Sequence, residues 1–144
     1  MLGLNLDVSG VIAGVERISR AAKAAVRPAA QAGAEEFYIS AKLAAPVSEK
    51  SHFFTINGRT YGPFQPGNLR DSIYQAYSKT NSNEELAVYH VSFNKEKAPY
   101  GYAVIRGTPY VAANDFIGLA YDRVREVALE ASHAVLRDAM KEVL

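Results

Sequence analysis

Apolar residues recur three and four positions apart near the start of the chain. Val11, Ile12, Val15, Ile18, Ala22 and Ala25 fall on one helical face, and Glu16, Arg17, Arg20 and Lys23 fall on the other. Alanine dominates residues 21–34, which favours helix and makes a thin stripe that admits a close neighbour. The pattern predicts one helix from Ser9, a capping residue type, to about Ala44. Pro28 removes the bond to the carbonyl of Ala24, so the helix is expected to kink near Pro28. Pro46 ends it by driving Ala45 toward an extended conformation. Such a helix is about 54 Å long, whereas a compact chain of this size is under about 40 Å across. It must bend or project beyond its own domain, and a projecting apolar stripe needs a partner.

The middle of the chain changes period. His52 to Tyr61 is β-prone and is broken by Asn57-Gly58, a strong two-residue hairpin signal with both turn residues at positive φ. Phe54 and Ile56 share one face, with Arg59 and Tyr61 across from them. A lone two-stranded ribbon is marginal in water, so this one must lie on the core or on a neighbouring subunit. Gly62-Pro63 and Gln65-Pro66-Gly67 read as loop. Leu69 and Ile73 are four apart, which suits a helical turn capped by Asn68, followed by extended chain to Tyr77. The polar run Lys79 to Glu84 reads as a hairpin loop, and Leu86 to Phe93 as a strand. Asn94 to Pro99 is a charged loop, and Tyr100 to Ile105 is a short helix or strand that ends at Gly107-Thr108-Pro109.

Asn114 or Asp115 starts a last helix. Phe116, Leu119, Ala120, Val124, Val127, Ala128, Ala131, Leu136, Met140 and Val143 keep helical spacing, with Asp122, Arg123, Glu126, Glu130, Arg137 and Lys141 on its wet side. The expected architecture is α+β: a long, kinked N-terminal helix, a small antiparallel sheet with a β-hairpin, and a long C-terminal helix. Residues 1–144 form a single expected domain.

Composition narrows the chemistry. The net charge is +1, and residues 1–49, 50–106 and 107–144 carry five, seven and four basic against five, four and six acidic side chains. Only the middle is mildly positive, so nothing overall draws the chain to nucleic acid or to an anionic membrane. The chain has no cysteine, which excludes disulfides, thiolate catalysis and cysteine-held metals. Met1 to Val15 is apolar but broken by Asp7 and lacks a basic lead-in, unlike a signal peptide. No run approaches the length of a membrane span. His52, His90 and His133 are not at ligand spacing and are read as structural. Glu35-Glu36 and Glu84-Glu85 are sequence neighbours that do not face one another on a helix. No catalytic, cofactor-binding or metal-binding residues are assigned, and the chain is read as a non-enzyme without a cofactor.

Nine tyrosines and no tryptophan occur. Tyr is frequent both at interfaces and in cores, and neither reading is preferred. Arg59, Arg70, Lys79, Lys95, Lys97 and Arg106 lie among them. They support an alternative: a nucleic-acid-binding accessory protein using a basic, Tyr-rich sheet region.

The motifs in order resemble those of the head–tail connector proteins of tailed bacteriophages, the neck or tail-completion proteins. Ala41-Lys42-Leu43-Ala44-Ala45-Pro46 resembles the end of that family's first helix. Gly67, Leu69, Ser72 and Ile73 match its Gly-x-Leu-x-x-Ser-Ile motif, and Tyr100 to Thr108 its Tyr-rich segment ending in Gly-Thr. Phe116, Ile117 and Ala120 partly match the motif that opens its last helix. Ile105 stands where the family commonly has Glu, and Asp115 and Leu119 replace prolines. Residues 51–66, the hairpin and its loop, read as an insertion between two motifs that usually sit closer together.

The resemblance implies that Pro46, Gly67, Leu69, Ser72, Ile73, Gly107, Thr108 and Phe116 define the fold. It implies a structural virion protein, assembled in the host cytoplasm and located at the neck or tail. There it would form a six-fold or twelve-fold homo-oligomeric ring that joins head to tail or terminates the tail. Neighbouring connector and tail-tube proteins and genomic DNA passing through the channel would be its partners, with no membrane. The subunit interface is expected at the hairpin, through Phe53, Phe54, Ile56, Arg59 and Tyr61, and at the charged loop, through Lys95, Lys97 and Tyr100.

Overall fold

Two long helices running in opposite directions carry the fold. A computed structural model describes residues 1–144. Helix α1 spans Ser9–Ala44 and helix α4 spans Phe116–Lys141. Between them lie β1 (His52–Ile56), β2 (Arg59–Phe64), the short helix α2 (Asn68–Asp71), β3 (Ile73–Tyr77), β4 (Tyr89–Phe93) and the short helix α3 (Gly101–Arg106). The fold is α+β, as the periodicity predicts.

The seam between α1 and α4 is built from small side chains. At one end the Ser40 hydroxyl donates to the Ala120 carbonyl at 3.4 Å, and Phe37 meets Tyr121 edge-on at 5.6 Å. Further along, a Cβ on Gly33 would sit 3.1 Å from the Ala128 carbonyl oxygen. That is closer than side chains tolerate without displacement, so the absence of a side chain at Gly33 sets the approach of the two helices. At the far end Ala21, Ala25 and Pro28 face Val135, Ala139 and Val143. Helix α1 carries Pro28 without interruption; the proline costs one N–H rather than the helix. Its start is capped differently from the sequence expectation. Ser9 is the first helical residue, and the Asp7 carboxylate accepts its N–H at 2.9 Å. Helix α4 starts as expected, with the Asp115 carboxylate accepting the Gly118 N–H at 3.0 Å.

The strands form two separate two-stranded antiparallel sheets rather than one. Asn57 and Gly58 turn the first with φ of 49° and 74°, pairing Phe54 with Tyr61 and Ile56 with Arg59. The second pairs Ile73 with Phe93 through to Tyr77 with Tyr89 and packs on α1. Strand β4 is shorter than expected and leaves out Leu86–Val88. The Val88 carbonyl still accepts the Ser78 N–H at 2.9 Å, but the Val88 N–H bonds the Ser82 hydroxyl and the Asn83 N–H bonds the Leu86 carbonyl, so turn bonds take over from the ladder there.

The core sits where the end of α1 meets the start of α4. Ala41, Ala45, Leu69, Ile73, Phe93, Ala98, Tyr100, Phe116 and Ala120 form it, and Phe116 is the largest side chain fully enclosed. Of the residues expected to define the fold, Leu69, Ile73 and Phe116 lie in this core, and Pro46, Gly67, Ser72, Gly107 and Thr108 lie between the elements around it. Gly67, at φ 85°, precedes α2, and the Ser72 hydroxyl donates to the Leu69 carbonyl at 2.7 Å. Asn68 does not cap α2; its side-chain amide instead donates to the Lys97 carbonyl at 2.8 Å and to the Tyr100 hydroxyl at 3.1 Å. Gly107 ends α3 at φ 77°, with space for a Cβ closed by the Ala113 nitrogen 2.7 Å away. The Thr108 hydroxyl accepts the Val111 N–H at 3.1 Å and fixes the turn toward α4.

This core is small for the chain. Only 15 of 144 residues are buried, and the accessible surface is 10351 Å². A compact chain of 15.7 kDa exposes about 7,300 Å². Much of the difference comes from the first twenty residues. Since Ala21 lies beside Val143, the first three turns of α1 extend past the end of α4. Val8, Val11, Ile12 and Val15 stand exposed there.

Two expectations follow from the packing. Phe116→Ala removes the one large enclosed ring and lowers unfolding free energy by about 3–5 kcal/mol in chemical denaturation. The Ser9 N–H holds the Asp7 carboxyl below its ordinary 3.8. A carboxyl lowered in the folded state supports the helix above its unfolded value and loses that support as pH falls through its folded one. The protection factors of amides in the first turn of α1, corrected for the intrinsic pH dependence of exchange, therefore hold above pH 3.8 and fall only below it.

Candidate subunit interface

The β1–β2 hairpin is anchored at its base and free at its tip, because alternate residues of a strand face opposite ways. Its inward side gathers on one tyrosine. His52, Phe64 and Phe54 lie 4.6, 4.9 and 6.2 Å from the Tyr100 ring, centroid to centroid. The His52 Nδ1 is enclosed there without a hydrogen-bond partner. The outward side carries Phe53, 64% exposed; Ile56, on the Phe54 face but beyond the core, is 45% exposed at the tip with its ladder partner Arg59. Tyr61 is exposed across the ladder from Phe54.

Two of the residues expected at the interface therefore belong to the core. Tyr100 is only 6% exposed and is ringed by the hairpin base. Phe54 packs against the same cluster. The reason is the pleat: once Phe64 and His52 face inward, the register of β1 and β2 turns Phe54 inward with them. Phe53, Ile56, Arg59 and Tyr61 remain on the surface, as do Lys95 and Lys97. The loop carrying the two lysines is held by Asn94, whose side-chain oxygen accepts the N–H groups of Glu96 and Lys97 at 2.8 and 3.2 Å.

Most tyrosines serve the chain itself. Tyr77 and Tyr89 pack together at 5.4 Å, with the Arg27 guanidinium of α1 4.1 Å above the Tyr77 ring. Tyr89 holds the Arg27 guanidinium above its ordinary value by hydrogen bonding, so this cation stays charged. Tyr102 meets Phe93 edge-on at 5.1 Å, and the Lys95 and Arg106 cations lie 5.2 and 5.3 Å from its centroid. Tyr110 stands free. The basic residues of the middle segment are spread over separate elements: Arg59 on β2, Arg70 on α2, Lys79 on a turn after β3 and Arg106 on α3. Arg70 is paired with Asp71 at 2.9 Å, which holds the Asp71 carboxyl below its usual range. No three His, Asp or Glu side chains gather closely enough to hold a metal ion.

One surface escaped the sequence reading. A shallow apolar channel runs beside the helix pair, floored by Val26 and Ala30 of α1 and by Leu129 and Leu136 of α4, with Leu86 and Ala87 along its side. It continues past His133 and Met140 to Leu144. Its signal in the sequence was faint. Leu129 lies off the stripe that packs on α1, and a single off-stripe leucine is ordinary on a helix surface.

No protein-family model matches the chain, no curated protein matches it in sequence, and no solved structure matches it in fold.

The hairpin gives a direct test. Phe54→Ser lowers monomer stability by roughly 1–3 kcal/mol in denaturant titration, while Phe53→Ser and Ile56→Ser stay within about 0.5 kcal/mol. Equal losses at all three would place the whole ribbon in the core.

Proposed function

We propose that the chain is a structural subunit of a tailed-bacteriophage virion. It forms a closed ring at the neck or tail end that joins head to tail, or that terminates the tail. The observation that carries this reading is the surface excess. The chain exposes 10351 Å², about 3,000 Å² more than a compact chain of its mass. Permanent subunit interfaces bury about 2,000–5,000 Å² counted over both partners, about 1,000–2,500 Å² from each, so the excess is enough for contacts with more than one neighbour. The assignment to phage necks rests on the ordered motifs. Pro46, Gly67, Ser72, Gly107 and Thr108 sit at the joints between elements, and Leu69, Ile73 and Phe116 fill the core those joints surround. Fold-defining residues in this order support a shared architecture, and the ring function comes with the architecture by analogy.

In this reading the partners are further copies of the chain, in six-fold or twelve-fold symmetry, and the connector and tail-tube proteins above and below. The genome passes through the ring. The Phe53, Ile56 and Arg59 tip and the Lys95–Lys97 loop are the contacts toward those neighbours. Electron microscopy of particles assembled with and without the chain tests the reading. The expected result is unjoined heads and tails, or unterminated tails, when the chain is missing. Normal joined particles in its absence would overturn it.

A further inference from the structure

The apolar stripe of α1 has two halves with different fates. From Ala25 onward it is buried against α4. From Val8 to Val15 the same stripe continues past the end of α4 with nothing against it. This half is helical from Ser9, so it is a rigid extension rather than a loose tail. A rigid extension of a continuous helix cannot fold back onto its own molecule. The apolar channel beside α4 therefore cannot be filled by it in cis.

We propose that the projecting first turns of α1, through Val8, Val11, Ile12 and Val15, dock into the Leu129–Leu136 channel of a second copy of this chain. The occupant is another copy because one molecule holds both halves of the contact, each apolar and each open. Leu129 is 56% exposed in its channel, and Val11 and Val15 are 67% and 60% exposed on the projection. The area allows it. A specific contact needs about 800 Å² from each partner, and the excess of about 3,000 Å² per chain leaves room for a projection, a channel and the hairpin tip. The recognition is an amphipathic helix laid in an apolar groove. Since the donor and acceptor surfaces differ, the contact is head-to-tail, and head-to-tail contacts close into rings or run on as filaments.

This inference rests on the ring reading only for closure; the contact itself is open to test without any virion. The purified chain is expected to form species larger than dimers in sedimentation equilibrium across a concentration series. V11E/V15E spoils the projection and L129E spoils the channel. Each is expected to weaken self-association at least ~100-fold. Circular dichroism of each variant should retain the helical signal and the monomer's thermal midpoint, because all three positions are exposed within the monomer. The deciding sample is the mixture. V11E/V15E keeps an intact channel and L129E keeps an intact projection, so together they form a 1:1 heterodimer and stop there.

A wild-type chain that stays monomeric throughout would overturn the contact while leaving the neck reading to be judged from particles. Oligomers unaffected by V11E/V15E would remove the projection from the interface. L129E that stays associated while V11E/V15E dissociates would show a symmetric projection-to-projection contact, and variants that both dissociate but fail to complement when mixed would show that projection and channel do not meet; either result overturns the proposal. Complementing variants combined with normal joined particles in the chain's absence would keep the contact and discard the neck.

Discussion

The antiparallel pairing of α1 and α4 is the contact on which the other elements depend. It is made by small residues, with Ala25, Ala29, Gly33, Ser40 and Ala41 of α1 meeting Ala120, Ala128 and Ser132 of α4. Small side chains let two backbones approach closely, and dispersion then acts over many atom pairs at short range. Their apolar volume is slight, however, so the pairing alone buries little per residue. Only at one end, where Phe116, Phe93, Tyr100, Leu69 and Ile73 gather, does the chain build a core of larger groups. The short elements between the helices are held there. The remainder of α1 is left with a stripe meant for contact and no contact to make.

That uneven burial links fold to function. A chain of this mass that exposes 10351 Å² is not minimising its own surface. Its exposed apolar residues gather in three places: a projecting stripe at one end, a channel along the side, and a hairpin tip with Phe53 and Ile56 at the far end of the β1–β2 ribbon. The hairpin base is fastened by Phe54, Phe64 and His52 on Tyr100, so the tip is presented by a rigid anchor. Aromatic residues that looked equally suited to core and interface divide along this line. Those at the base hold the ribbon to the chain, and those beyond it are free to meet another.

Several features were legible from residue order alone because their causes are local. The limits of α1 follow from its alanine run and from Pro46, the turn at Asn57-Gly58 from two residues that tolerate positive φ, and the start of α4 from Asp115. Competing hydrogen bonds account for the misreadings. Asn68 has the right side chain for a cap, but a carbonyl on the distant Lys97 and the Tyr100 hydroxyl compete for its amide. Leu86–Val88 has strand propensity, but Ser82 and Asn83 offer it turn bonds first.

The sequence by itself determined the elements, the α+β class, the joints and the presence of a helix too long for its own domain. Each of these depends on periodicity, on backbone freedom at single residues, or on length. Tertiary structure alone decided which aromatics turn inward, since that depends on the pleat register between β1 and β2. It alone decided that the strands split into two sheets. It also decided where the surplus of α1 lies, at its N-terminal end, because Gly33 and the alanines set how α4 aligns along it. The channel at Leu129 and Leu136 exists only through that alignment, for it is walled by residues a hundred positions apart that no local pattern connects.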